Sequence, residues 1–228
     1  MQELFDFSAY ARQVRKLSRV LMANGADAAG VSRGVHLLTT MVEKDLVRFK
    51  PSPEDSRVAC GPGCGACCVL NVAVLFPEAV AITRFLRRHF SAVEINDLQA
   101  RLEVLVRKTC WLDDEERLFL REPCAFLDNL GSCLIHPVRP LLCRSITSTD
   151  AQTCRDAIAM VALYGAPDVE MDLFQKKLFD TVYCEFGWTL ECLGLDHRPM
   201  RLSAAALALL EKPELVDLFL AGDSVPVH

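Results

Sequence analysis

The stretch "CGPGCGACC", residues 60–68, places four cysteines within nine positions. Gly61, Gly63 and Gly65 lie between them, and glycine lets the backbone approach a bound ion or cluster closely. The amide N–H groups of such a loop stabilise the negative charge of thiolates. This pattern is compatible with a metal or cluster site, a redox dithiol or half of a disulfide framework.

A second cysteine segment, "PCAFLDNLGSCLIHPVRPLLCR", occupies residues 123–144. The chain has eleven cysteines, an odd number that excludes complete intramolecular disulfide pairing. Clustered thiols in a reducing compartment indicate metal or redox chemistry, and we expect a metal or cluster site in preference to a redox dithiol or inert core cysteines. The candidate ligands are Cys60, Cys64, Cys67, Cys68, Cys124, Cys133 and Cys143.

The identity of the metal is open, because all-sulfur ligand sets suit both zinc and iron–sulfur clusters. We favour an iron–sulfur cluster, [4Fe–4S], because the thiols are in surplus and apolar residues flank them. His136 is the one histidine among these cysteines, and we expect it to be a surface group rather than a ligand. Cys67 and Cys68 are adjacent, so both reach one centre only if the backbone kinks. Seven candidate cysteines exceed the four that one zinc ion or one [4Fe–4S] cluster uses, which indicates either a polynuclear site or several thiols that are not ligands.

Arg139 and Arg144 flank Cys143 and are candidate cofactor-binding residues. Guanidinium groups beside an anionic tetrathiolate centre would offset its charge. The alternative interpretation is a pair of surface arginines, or an arginine bonded to backbone carbonyls. Pro140 is expected to rigidify the turn that presents Cys143.

The two motifs resemble the YkgJ-type cysteine-cluster family, also called CxxCxxCC, a zinc- or iron-chelating domain. The second segment is similar to the family's P-C-x-F-L…C-x-I-[YH]-x-x-R-P-x-x-C-R pattern, and the resemblance spans about residues 58–145. An x3 gap follows Cys60 where the family name has x2. The resemblance implies metal or cluster binding and leaves the metal open.

Two further functions are open alternatives. One is a zinc-stapled module that binds an unknown protein partner. The other is a cluster-dependent enzyme, because a relative of this domain is similar to flagellin lysine N-methylase, which implies methyl transfer from S-adenosylmethionine. The spacing of Cys60, Cys64 and Cys67 also matches the radical S-adenosylmethionine motif, but Ala66 replaces its usual aromatic residue. No catalytic residue is identifiable, so enzymatic activity stays undecided.

The composition is that of a globular protein, with 228 residues, 51% hydrophobic and 24% charged. The net charge of −5 argues against a nucleic-acid or anionic-membrane partner. The first twenty residues lack the order of a signal peptide, and the apolar run at 202–210 is about half of a membrane span. We therefore expect a cytoplasmic protein.

Apolar periodicity predicts a mainly α fold in which two irregular cysteine loops clasp the metal site. The predicted ranges are an N-terminal helical hairpin at 1–50, a cysteine-cluster core at 54–150 and C-terminal helices at 151–228, packed as one domain. Pro51 and Pro53 indicate a linker, and the segment 123–144 an ordered loop. The four remaining cysteines are expected to be small apolar groups of the core: Cys110, Cys154, Cys184 and Cys192. The predicted helices cover about 4–23, 28–49, 77–90, 92–109, 113–121, 151–164, 169–187, 200–211 and 213–220.

Overall fold

The computed structural model of the chain describes residues 5–49, 58–160 and 167–227. Ten α-helices lie within these residues, which confirms the predicted mainly α fold. The predicted linker at 51–53 lies outside the described residues, as does the end of the helix predicted at 151–164. The helices are α1 (Phe7–Ala23), α2 (Ala28–Phe49), α3 (Phe76–His89), α4 (Ala92–Thr109), α5 (Asp114–Leu120), α6 (Leu141–Ser145), α7 (Ala151–Ala159), α8 (Leu173–Cys192), α9 (Leu202–Glu211) and α10 (Leu215–Leu220).

Helix α1 starts where Asp6 caps it, because the Asp6 carboxylate accepts hydrogen bonds from the amides of Ser8 and Ala9 at 2.9 and 3.0 Å. The helix packs against both α2 and α8. Arg15 of α1 forms an ion pair with Glu185 of α8. Burial follows the predicted helical period at Tyr10, Val14, Ser18 and Met22.

Helix α3 lies at the centre of the fold, between α2 and α9. Pro77 occupies its first turn, where a missing N–H costs nothing. Every residue from Phe76 to Thr83 is buried, so this half of the helix has core contacts on all sides. Its buried acidic residue, Glu78, bonds to the loop that carries Cys143, as described below.

Two features of the cysteine-bearing region differ from the predicted irregular loops. The segment 123–144 ends in the short helix α6, because Pro140 supplies the extended residue before a helical turn. A two-residue antiparallel pair also joins β1 (Ala73–Val74) to β2 (Met200–Arg201). This pair holds the start of α9 beside the first cysteine loop, and the Leu202 amide extends it by donating to the Val72 carbonyl at 2.9 Å.

Buried apolar residues from the three predicted ranges join in one hydrophobic cluster, which includes Val14, Phe126 and Phe186. The division into those ranges stays a prediction. Among the helices of the described residues, none is both long and apolar enough to cross a bilayer.

Candidate metal centre

The first cysteine loop is a chain of tight turns. The Cys64 amide donates to the Gly61 carbonyl at 3.0 Å, and Gly63 between them has a φ of +81°. A 3-10 turn then spans Ala66–Val69, with non-helical backbone angles at Cys68. This kink is the condition under which adjacent Cys67 and Cys68 thiols face the same space, and their interaction lowers the pKa of Cys67 and raises that of Cys68.

The second cysteine loop folds back on itself between Cys124 and Cys133. The Asp128 carboxylate accepts hydrogen bonds from the amides of Leu130 and Ser132, both at 2.8 Å. Such a turn satisfies amides that a hairpin of this length leaves free. An isolated antiparallel bridge between Leu127 and Cys133 closes the turn.

The two loops contact each other directly through their backbones. The Cys124 amide donates to the Cys68 carbonyl at 2.7 Å. At the tips of the loops, a Cβ added to Gly131 would lie 3.1 Å from the Gly63 carbonyl oxygen. Gly131 also has a φ of +74°, a conformation that glycine adopts without strain. The glycines therefore allow the two predicted ligand segments to meet.

Helix α6 carries Cys143, and buried Glu78 anchors its first turn. The Glu78 carboxylate accepts hydrogen bonds from the Leu75 and Leu141 amides, each at 2.9 Å. A single side chain thus bonds the N-termini of α3 and α6. Burial raises the pKa of Glu78 to about 7, against the lowering effect of these two amides.

The predicted ligands surround one cavity of about 250 Å³, which we call the thiol cavity. All seven line it, and so does Cys154 of α7, which we had assigned to the apolar core. Every cysteine of the chain lies within the described residues and is a free thiol. The cavity is lined by the thiols of Cys60, Cys64, Cys67, Cys68, Cys124, Cys133, Cys143 and Cys154.

Electrostatic interactions divide these thiols into two groups that share Cys67. The outer group consists of Cys60, Cys64, Cys67 and Cys154, because Cys60 interacts with each of the other three. The inner group consists of Cys67, Cys68, Cys124, Cys133 and Cys143. Within the described residues, no three Cys, His, Asp or Glu side chains form a ready-made metal site. The thiols therefore line the cavity walls without converging on one point.

The acidity of the thiols varies with their surroundings. Burial raises the pKa of Cys124 to about 11, and burial together with the neighbouring Cys124 also raises that of Cys143. Interaction with the adjacent Cys68 thiol lowers the pKa of Cys67, and the Arg139 charge acts in the same direction. Because metal ligands are thiolates, a metal entering this cavity would displace protons from the buried cysteines.

Two arginines on the cavity wall, one of them fully buried, have buried nitrogen atoms that donate no hydrogen bond within the described residues. Arg117 of α5 is 2% exposed, and its Nη1 has no hydrogen-bond partner among the described residues. The Nε of Arg139 is also buried without a partner in that part of the chain. Unpaired buried donors are costly, and an anionic centre beside them would remove that cost. The donor set of thiols and cations therefore fits a negatively charged metal–thiolate group.

Arg144, the second arginine predicted beside the cofactor, lies outside the thiol cavity. Its Nε donates to the Arg139 carbonyl at 2.8 Å, and its Nη2 donates to the Pro137 carbonyl at 3.1 Å and the His136 carbonyl at 3.5 Å. Its Nη1 forms an ion pair with Glu43 of α2. This geometry corresponds to the alternative interpretation, an arginine bonded to backbone carbonyls, and it braces the turn before Cys143.

The remaining predicted residues have separate surroundings. His136 lines the cavity but is largely exposed. Partial loss of solvent around its ring and the positive charge of Arg139 lower its pKa. Cys184 and Cys192 are exposed, which corrects their assignment as core thiols, and Cys110 is half-buried at another cavity.

Sequence reasoning missed Cys154 and Arg117 as members of the site. Cys154 lies beyond the quoted motifs, on a helix that packs against the 3-10 turn at Ala66–Val69. Arg117 follows an acidic run at 113–116, and Asp113 of that run caps α5 by accepting from the Glu116 amide at 2.8 Å. No local pattern in the sequence marks either residue as facing the thiols.

Comparison with known proteins identifies the cysteine-bearing region. Residues 59–159 match the model of the CxxCxxCC family, described as a "putative zinc- or iron-chelating domain". The match includes all eight cysteines of the thiol cavity and leaves α1, α2 and the helices from α8 onward outside it. No curated protein and no solved structure matches the chain. Over residues 59–159, the chain is therefore similar to the CxxCxxCC family of zinc- or iron-chelating domains.

Proposed function

We propose that the protein holds an iron–sulfur cluster of the [4Fe–4S] type in the thiol cavity. The observation that supports it is one cavity lined by eight cysteines together with Arg117 and Arg139, each of which has a buried side-chain nitrogen without a hydrogen-bond partner among the described residues. A structural zinc ion and a [4Fe–4S] cluster each use four cysteine ligands, so the number of thiols does not separate them. The preference for a cluster rests on the cationic and apolar side chains around the thiols.

The walls of the cavity support a shielded cluster. Leu102, Phe126 and Ile135 line it and are at most 1% exposed. Burial and a low dielectric are among the factors by which a protein sets the potential of an iron–sulfur centre. A cluster in these surroundings would supply one-electron transfer or a Lewis-acidic iron.

The inner group is the better source of cluster ligands. Its members come from both loops, so a cluster there would join the first loop to α6 and the Cys124–Cys133 turn. The positive charges of Arg117 and Arg139 also act on this group, at Cys124, Cys67, Cys133 and Cys143. Four thiolates and a cluster carry net negative charge, which those guanidinium groups would offset.

The outer group is the proposed source of any further ligand. Cys60, Cys64 and Cys154 share the same cavity, with Cys67 as the link to the inner group. A second metal or an exchangeable ligand at this end would account for thiols beyond the inner group.

The test is anaerobic purification followed by a visible spectrum and elemental analysis for iron, sulfide and zinc. We expect a brown protein with thiolate-to-iron charge-transfer absorption and with equal amounts of iron and acid-labile sulfide. A colourless protein that releases stoichiometric zinc would refute the cluster and leave the coarser zinc- or iron-chelating assignment intact.

A pair of serine variants tests the location of the metal. Cys143→Ser removes a thiol of the inner group, so bound metal and thermal stability should fall together. Cys110→Ser is the matched control, because that cysteine lies outside the thiol cavity. Equal metal content in both variants would contradict the proposed location.

A further inference from the structure

A second cavity, which we call the basic cavity, lies where α2, α3 and the segment 137–144 meet. Its volume is about 290 Å³, close to the lower end of the range of small-molecule sites. Side chains from all three elements supply positive charge. The arginines that line it are Arg33, Arg84, Arg88, Arg139 and Arg144.

The charge of this cavity is only partly compensated, because Arg144 is paired with Glu43 whereas three of the other arginines have no counter-charge among the described residues. Among the described residues, Glu78 is the one acidic side chain on its walls, and two backbone amides already occupy its carboxylate. Arg33, Arg84 and Arg88 form no ion pair or hydrogen bond with any part of the chain that the structure describes. The chain as a whole has a net charge of −5, so this positive charge is a local concentration.

Two of the cations lie one turn apart on α3, where Arg88, in the last turn, also interacts favourably with the helix dipole. Arg84 and Arg88 are four residues apart on α3 and line the same cavity. Like charges at that spacing destabilise a helix, in contrast to an acidic–basic pair. An anion bound between the two guanidinium groups would reverse the sign of this interaction.

One donor in the cavity wall is buried as well as unpaired. The Nε of Arg139 has no hydrogen-bond partner within residues 5–49, 58–160 and 167–227, and Arg139 borders both the basic cavity and the thiol cavity. Arg139 is therefore shared by the two cavities, and because its Nε serves the thiol cavity, the basic cavity relies on Arg33, Arg84 and Arg88 for its charged donors. The hydroxyls of Ser32 and Thr39 add neutral donors on the α2 side.

We propose that the basic cavity binds the phosphoryl group of a small phosphate compound. The planar guanidinium group of arginine donates paired hydrogen bonds to two phosphate oxygens. A phosphate has oxygens on several sides and can bind more than one arginine in this way, whereas a carboxylate has a single pair of oxygens. A phosphate monoester carries a charge of about −1.5 to −2 at pH 7, so it neutralises two of these arginines at once. Free phosphate and a phosphate ester share this chemistry, and the experiment below distinguishes them.

The apolar part of the wall leaves room for an organic group beside the phosphate. Val35, Phe85 and Val138 line the cavity, and the Phe85 ring contacts the His89 ring in a tilted arrangement with centroids 4.5 Å apart. An ester would place its organic part against these side chains. Inorganic phosphate would leave them without a contact.

Isothermal titration calorimetry on the metal-loaded protein tests the proposal, with inorganic phosphate, pyrophosphate and AMP as the three probes. The test variant is Arg84→Gln with Arg88→Gln, because these residues lie outside both cysteine loops. The control is Arg19→Gln with Arg107→Gln, which removes the same charge from exposed positions on α1 and α4. We expect saturable binding of at least one probe, a loss of about tenfold or more in the test variant, and no change in the control.

The pattern across the probes identifies the source of the phosphate. Tighter binding of AMP than of inorganic phosphate indicates an ester, and the reverse order indicates the free anion. Absence of saturable binding for all three probes would overturn the proposal, as would equal affinities in the test and control variants. If the double variant loses its helical circular dichroism, Arg33→Gln on α2 provides the same comparison from a different helix.

Discussion

The strongest prediction concerns Arg144, which braces the turn that precedes Cys143. Its side chain is 10% exposed and donates to the Arg139 and Pro137 carbonyls at 2.8 and 3.1 Å. Replacing it with methionine fills a similar volume but leaves these carbonyls without their donor. At about 1.5 kcal/mol for each of two hydrogen bonds to a charged donor, the loss is about 3 kcal/mol. The ion pair to Glu43 adds less than about 1 kcal/mol, because Glu43 is half-exposed.

Urea unfolding followed by circular dichroism measures this loss, with metal content determined on the same samples. Arg144→Met should lower the free energy of unfolding by about 3–4 kcal/mol and reduce bound metal, because the turn holds Cys143 in place. Arg144→Lys should recover only part of the lost free energy of unfolding, since an ammonium group lacks the planar fork that reaches several carbonyls. The control is Arg107→Met at an exposed position. If Arg144→Met falls within about 0.5 kcal/mol of that control, the bracing role is refuted.

Two further predictions test the contacts around the cysteine loops. Gly131→Ala should lower both metal content and stability, because its Cβ would press on the Gly63 carbonyl. The control is Gly194→Ala, which has a φ of +70° and open space around it, so it should lower the free energy of unfolding only by the conformational strain of about 1–2 kcal/mol. Equal metal loss in the two variants would contradict a contact between the loop tips. For Glu78, a folded-state pKa of about 7 lies above the unfolded value of about 4.3, so the stability it contributes is complete below about pH 4 and is lost as the pH rises through 7, by about 4 kcal/mol in total. Glu78→Gln should remove that part of the pH dependence, measured as the difference in urea midpoint between pH 5 and pH 8, and an unchanged difference would contradict the assignment.

The helices were predictable because their information is local. Apolar residues at helical spacing predicted α1, α2 and α4 within a few residues of their observed ends, and Ser91 caps α4 with Glu94 as its partner. The prediction failed at α6, where five residues are too few to show a period. It also missed the pairing of Ala73–Val74 with Met200–Arg201, because a strand pair of two residues depends on segments far apart in the chain.

The amino-acid sequence by itself determined that this protein is mainly helical and that two cysteine segments are the places to look for a metal, because periodicity and ligand spacing are properties of neighbouring residues. Only the tertiary structure decided which further groups face those thiols. Cys154 and Arg117 reach the thiol cavity from α7 and α5, and Arg144 turns away from it toward backbone carbonyls. The physical reason is that burial, charge and the direction of a side chain depend on how distant helices pack, and a local pattern does not contain that information.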